Sequence, residues 1–109
     1  MNSRRTDDRK VYSLLGLAAR ARRLASGEFM TEKSVKTGQA ALVITAQDAS
    51  DNTKKNFRDM CTYYHVPFFL FGTKEELGRA IGKELRASLA VNDAGFAEAI
   101  KKELAAWNA

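Results

Sequence analysis

The segment Ala41-Leu42-Val43-Ile44-Thr45-Ala46 most narrows what this chain can become. Its apolar residues run continuously instead of alternating with polar ones. A strand of that kind needs cover on both faces, so it belongs inside a layered fold and not on a solvated sheet surface. Phe68-Phe69-Leu70-Phe71 has the same character, and Pro67 ahead of it blocks the continuation of any preceding helix.

Helical periodicity fills the gaps between such strands. Val11, Leu14, Leu15 and Ala18 recur at i, i+3, i+4 and i+7. They predict a first helix that opens near Asp7 and Asp8, where carboxylates suit the positive helix end. Arg20, Arg22 and Arg23 crowd its last turn, where cations are favoured. Leu24-Ala25-Ser26 reads as a very short strand before Gly27. A second helix runs from about Phe29 to Thr37, with Gly38 as a left-handed cap. Ser50 caps a third, whose buried stripe is Phe57, Met60, Cys61 and Tyr64. Thr73-Lys74-Glu75-Glu76 is a capping box for a fourth helix carrying Leu77, Ala80 and Ile81. Ser88-Leu89-Ala90-Val91 is the final strand. Asn92 or Asp93 caps a last helix with Phe96, Ile100, Leu104 and Trp107 on one side. Strands alternating with helices in this way imply an α/β fold, a three-layer α/β/α sandwich around a mixed, mostly parallel four-stranded sheet. At 109 residues the chain is long enough for one such domain, expected over residues 7–109 behind a flexible basic tail at 1–6.

Charge is unevenly shared. The chain carries a formal +5, and residues 1–36 hold nine Lys/Arg against four acids, while the remainder is balanced. The whole excess therefore lies in the first third, which suits a polyanionic partner such as nucleic acid and equally a solvated basic helix that only aids solubility. No apolar run reaches the roughly 20 residues a membrane span needs. The polar opening and the single cysteine point to a cytoplasmic protein, with no membrane partner and a monomer as the default state.

Catalytic and metal chemistry finds little material. His65 is the sole histidine and Cys61 the sole cysteine. Cys61 falls on an apolar stripe, as a core thiol does. Metal ligation needs more Cys and His than the sequence owns. No glycine cluster joins a strand to a helix as phosphate-cradling loops require, and the Gly78–Gly82 spacing carries no weight outside a membrane. Asp48 reads as a turn residue before a helix and not as a phosphoacceptor. The expectation is a non-enzyme without cofactors.

Two blocks of the sequence carry a family resemblance. Leu14-Leu15-Gly16-Leu17-Ala18, followed by Arg20-Ala21, Leu24 and Gly27, resembles the opening of the small bacterial YlxQ-like family of the L7Ae ribosomal-protein superfamily. The run from Val35 through Gly38, Ala41–Ala46 and Asp48 to Ser50, continued by Asp51-Asn52-Thr53-Lys54-Lys55, resembles that family's central signature. The likeness extends over about residues 9–104. It implies an L30e-like sandwich that binds structured RNA of the kink-turn type, with ribosomal RNA among the candidates. It also implies three contact elements: Gly27 with the start of the second helix, Glu28 to Lys33; Gln47 and Asp48 after the central strand; and Arg86-Ala87-Ser88-Leu89 entering the last strand.

The physics suits those roles. A helix start offers unpaired N–H groups to phosphate, Gly27 permits close backbone approach, and Lys33 can reach backbone or purine acceptors. A small apolar loop such as Ala87-Ser88-Leu89 can pack on an extruded base. Arg20, Arg22, Arg23 and Lys36 supply the surrounding positive field, expected to centre on Gly27. Well-studied kink-turn binders carry Asn-Glu two and three residues after the glycine; here Phe29 and Met30 stand there, and neither can form paired hydrogen bonds to a base edge. Phe29 reads as a core residue at the helix start, with an exposed stacking platform as its other reading. A protein-interaction module on the same fold is the competing function.

Overall fold

The computed structural model describes the backbone of residues 3–108 and the side chains of residues 8–106. Nine elements follow one another within it: α1 (Ser3–Arg20), β1 (Leu24–Ser26), α2 (Glu28–Lys36), β2 (Leu42–Thr45), α3 (Asp51–Tyr64), β3 (Phe68–Leu70), α4 (Lys74–Ala80), β4 (Ser88–Val91) and α5 (Ala94–Asn108). The first helix begins at Ser3 and not near Asp7, so residues 3–6 of the anticipated tail have helical backbone. Residues 1–2 and the Trp107 side chain lie outside the described part.

The strands form one sheet in the order β1-β4-β2-β3. β4 runs antiparallel to both neighbours, β1 and β2, and only β2 and β3 are parallel. The sheet is mixed, as expected, but it is not mostly parallel. Periodicity says which residues face a core; it carries no information on strand direction. Here β4 inserts between β1 and β2 from the opposite sense.

Alternation across the central pair builds two cores. Leu42 and Ile44 of β2, with Leu89 and Val91 of β4, face Val11, Leu15, Leu77, Ile100 and Leu104 from α1, α4 and α5. Val43 and Ala90 point the other way, against Val35 of α2 and Phe57 and Cys61 of α3. Full burial of each large aliphatic side chain is worth about 1.5–3 kcal/mol, so this two-sided cover is the dominant favourable term in the fold. β3 lies at the sheet edge, and its residues are only half-buried.

Local signals are realised at the atomic level. The Ser50 hydroxyl accepts from the Thr53 N–H at 3.1 Å. Thr73 and Glu76 exchange both capping-box bonds. The Tyr12 hydroxyl donates to Glu76 Oε1 at 2.8 Å, the same oxygen that caps the Thr73 N–H, so one carboxylate ties α1 to the start of α4. Burial, with Glu76 beside it, pushes the Tyr12 phenol well above its ordinary range. Tyr64 departs from its expected place on the buried stripe. It is exposed and packs edge-on against Tyr63, with ring centroids 4.9 Å apart, because the left-handed turn at His65 leads the chain away after Cys61.

Gly78 is the most crowded of the described glycines. A Cβ built there would lie 1.6 Å from the Glu84 carbonyl oxygen, which is backbone and cannot swing aside. Its own carbonyl accepts from the Lys83 N–H at 2.8 Å, folding the chain back over α4. Gly78→Ala is expected to destabilise the protein by about 3 kcal/mol through overpacking, read as a lower urea midpoint with an unchanged slope. Burial pushes the Cys61 thiol up to about 11 from 9.0. At pH 8 that leaves about a hundredfold less thiolate than in the unfolded chain, so iodoacetamide should modify Cys61 in urea and very slowly in buffer. Because the folded value is the higher one, ionisation of this thiol in the unfolded chain draws down stability as pH climbs from about 9 towards 11.

Candidate nucleic-acid interface

Three chain segments meet at one end of the sheet, where β1 and β2 finish and β4 starts. Gly27 follows β1 with φ 92° and ψ 160°, a conformation that L side chains rarely adopt. Its N–H donates to the Ser88 carbonyl at 2.9 Å, which fixes the start of α2 to the start of β4. No side chain caps that helix end, and a Cβ on Gly27 would meet nothing within 4 Å. The first-turn N–H groups of α2 therefore face outward beside open space, with the positive end of the helix dipole behind them.

The neighbouring loops are braced against this point. The Ala46 N–H donates to the Ala87 carbonyl at 2.8 Å, and the Lys74 N–H donates to Asp48 Oδ1 at 2.9 Å. Lys54 Nζ donates to the Gln47 carbonyl at 3.1 Å. Arg86 Nε donates to Ser26 Oγ at 3.1 Å, and another of its nitrogens donates to the Leu85 carbonyl. Glu28 Oε2 accepts from the Thr53 hydroxyl, so the acid at the head of α2 is held towards α3.

Gly27, Glu28, Gln47, Asp48, Arg86 and Ala87 are thus brought together, several of them with side chains or main-chain groups already committed to internal bonds. Asp48 lies in the turn after β2, as read from the sequence, and its carboxylate accepts from the first N–H of α4. Ser88 and Leu89 do not fit the expected role. Both are fully buried in β4, with Leu89 in the apolar core and the Ser88 hydroxyl 3.2 Å from that of Thr45. The apolar residue that this loop does expose is Leu85, which sequence reasoning missed, although a lone leucine between Glu84 and Arg86 was a visible signal.

Phe29 is 75% exposed, which overturns the core reading. Thr31, Ser34 and Val35 are the residues that α2 buries. Phe29 sits about 200° around the helix from Thr31, on the outer side. Met30 is exposed as well, and Lys33, three and four residues on, shares this outward surface with both. Lys36 is engaged with Glu32 at 2.6 Å, a contact that raises its pKa.

The arginines do not converge on Gly27 as expected. Arg23 offers its carbonyl to the Asn92 N–H at the far end of β1, and Arg22 turns the chain there in a left-handed conformation, φ 61°. The three residues of β1 lie between Arg23 and Gly27, and the four extended steps span about 13 Å. Arg20 lies in a separate cleft between α1 and α4. Among the described residues no group of three or more His, Cys, Asp or Glu could hold a metal ion, and no helix is long and apolar enough to cross a membrane.

Comparison with known proteins places this arrangement. The RNA-binding protein YlxQ of Bacillus subtilis (strain 168) is 48% identical over 86 residues, which are 79% of this chain and 86% of that protein. Its Enterococcus faecium namesake is 40% identical over 93 residues, covering 85% and 89%. Among solved structures, a Bacillus halodurans C protein of unknown function superposes with a TM-score of 0.85 at 46% identity, over 88% of this chain and 97% of that one. The Giardia lamblia 15.5kD RNA binding protein shares the fold at 24% identity, with a TM-score of 0.79 over 94% and 90%. The family model matches residues 9–101, the span from α1 into α5 that includes every loop around Gly27. The chain belongs to the ribosomal protein L7Ae/L30e/S12e/Gadd45 family.

Proposed function

We propose that the protein binds structured RNA, without catalysis, at the start of α2 and the loop before β4. The observation that carries this reading is the uncapped helix end at Gly27, flanked outward by Phe29, Met30 and Lys33. The names of the bacterial relatives support the same partner class. A phosphate accepts from the first N–H groups of α2, where it also meets the positive end of the helix. Lys33 donates to an adjacent phosphate or to a purine acceptor.

Base recognition on this surface is by stacking. Phe29 offers an exposed ring, and Met30 and Leu85 offer further apolar area. An unpaired base splayed from a bend in the RNA fits such a surface. Paired hydrogen bonding to tandem G·A edges, which the kink-turn binders achieve with Asn-Glu, has no counterpart in Phe29-Met30. The preferred RNA is therefore one with an extruded base, and the G·A pairs themselves contribute less to its selection.

The same exposed apolar residues favour a second reading, a protein-interaction surface. Salt separates the two. An RNA complex loses affinity with a log–log slope of about −0.7 to −0.9 per phosphate contacted, and an apolar protein interface does not. Crosslinking in cells followed by sequencing of the recovered RNA identifies the ligand. With that RNA, Lys33→Ala should cost about 1–3 kcal/mol if it reads a base, or reduce the salt slope by about one if it meets phosphate. Phe29→Ala should cost about 1–3 kcal/mol from one lost stack while leaving the salt slope unchanged. Recovery of no RNA, with a protein captured instead, overturns the reading.

A further inference from the structure

A cleft of about 590 Å³ runs between the end of α1, the end of α4 and the outer edge of β1. Arg20, Arg79 and Lys83 line it together with Leu24 and Ser26, and none of the side chains that line it is acidic. Arg79 is partly neutralised by Glu75 at 2.8 Å, on the rim. Arg20 and Lys83 are exposed. Gly16 and Gly82 keep the floor low, since neither carries a side chain.

The register of β1 adds main-chain donors. Arg23 and Gly27 are bonded to β4, through Arg23 O to the Asn92 N–H and the Gly27 N–H to Ser88 O. Groups two residues apart point the same way along an antiparallel ladder, so Ala25 faces β4 as well, and Leu24 and Ser26 turn their N–H and C=O outward. β1 is an edge strand, so no further strand takes up those groups. Leu24 and Ser26 both line the cleft. Two cations, the outward N–H groups and the Ser26 hydroxyl suit anionic oxygens, and the outward carbonyls of the same two residues suit a ligand that also carries hydroxyl donors, as the ribose of RNA does. The cleft also adjoins the site around Gly27. Ser26 precedes that glycine directly, and Arg86 grips the Ser26 hydroxyl.

We infer that the cleft between α1 and α4 holds the phosphodiester backbone of an RNA strand that continues beyond the start of α2, with Arg20 and Lys83 each meeting a phosphate. This rests on the RNA-binding reading of the Gly27 site and extends it along β1. An acidic peptide adding itself to the strand edge is the competing occupant.

The test is a heteronuclear NMR titration of the protein with an RNA hairpin that carries a bulged uridine, and in parallel with a poly-glutamate peptide. The hairpin should shift the amides of Leu24, Ser26 and Gly82 as well as those of Phe29 to Lys33. The double variant R20Q/K83Q should bind it about tenfold more weakly and with a salt slope smaller by about 1.4 to 1.8, two phosphates at roughly 0.7 to 0.9 each. Its unchanged spectrum elsewhere shows that the fold is intact. Shifts confined to α2 overturn the cleft while leaving the RNA-binding reading standing. Shifts confined to the cleft overturn both the α2 reading and the strand that runs on from it. Equal or stronger shifts at Leu24 and Ser26 with poly-glutamate overturn the phosphodiester assignment in favour of an acidic protein partner, and silence at both sites overturns both.

Discussion

Everything in this molecule is arranged around the antiparallel pairing of β2 with β4. Leu42, Val43 and Ile44 on one strand and Leu89, Ala90 and Val91 on the other are all inaccessible to solvent. Because neighbouring residues on each strand face opposite layers, the pair cannot be buried by helices on one side alone. α1, α4 and α5 cover one face and α2 and α3 the other. The loops of the candidate interface leave β2 and enter β4 at the same end of this antiparallel pair, which is why they converge there.

Much of this was legible before any coordinates. The unbroken apolar character of residues 41–46 implied two-sided cover. Ser50, Thr73 and Glu76 announced helix starts through hydrogen bonds that the structure makes, and Gly38 announced a helix end through its left-handed backbone. Strand direction was not legible. The order β1-β4-β2-β3 depends on which surfaces β4 meets after α4, and that is decided by contacts far apart in sequence.

The geometry of the candidate interface was legible in part, for a related reason. The left-handed φ of Gly27 is marked by its residue type. Burial state is harder to read from short segments. Phe29 looked like a core residue on size alone, but the stripe that α2 turns inward is Thr31, Ser34 and Val35, only one of which is a sizeable apolar group. Leu89 looked like a loop residue available to a base, but it is the second residue of β4 and faces α1 and α5. The arginines before Gly27 are close to it in sequence and separated from it by the length of β1 in space. Proximity along a strand is a poor guide to proximity on a surface.

The inward stripe of α2 has a consequence of its own. Two of its three buried residues are hydroxyl side chains, and the Thr31 hydroxyl is buried without a hydrogen-bond partner among the described residues. α2 is held to the sheet by one valine, the Gly27–Ser88 bond and the Ser34–Asn92 contact, whereas α1 and α5 are glued down by leucines and isoleucine. Local opening of such a weakly anchored helix takes less free energy than unfolding the whole domain. The helix proposed to meet RNA is thus seated on small hydroxyl side chains, and it is expected to re-seat against a partner more readily than the leucine-packed layer opposite.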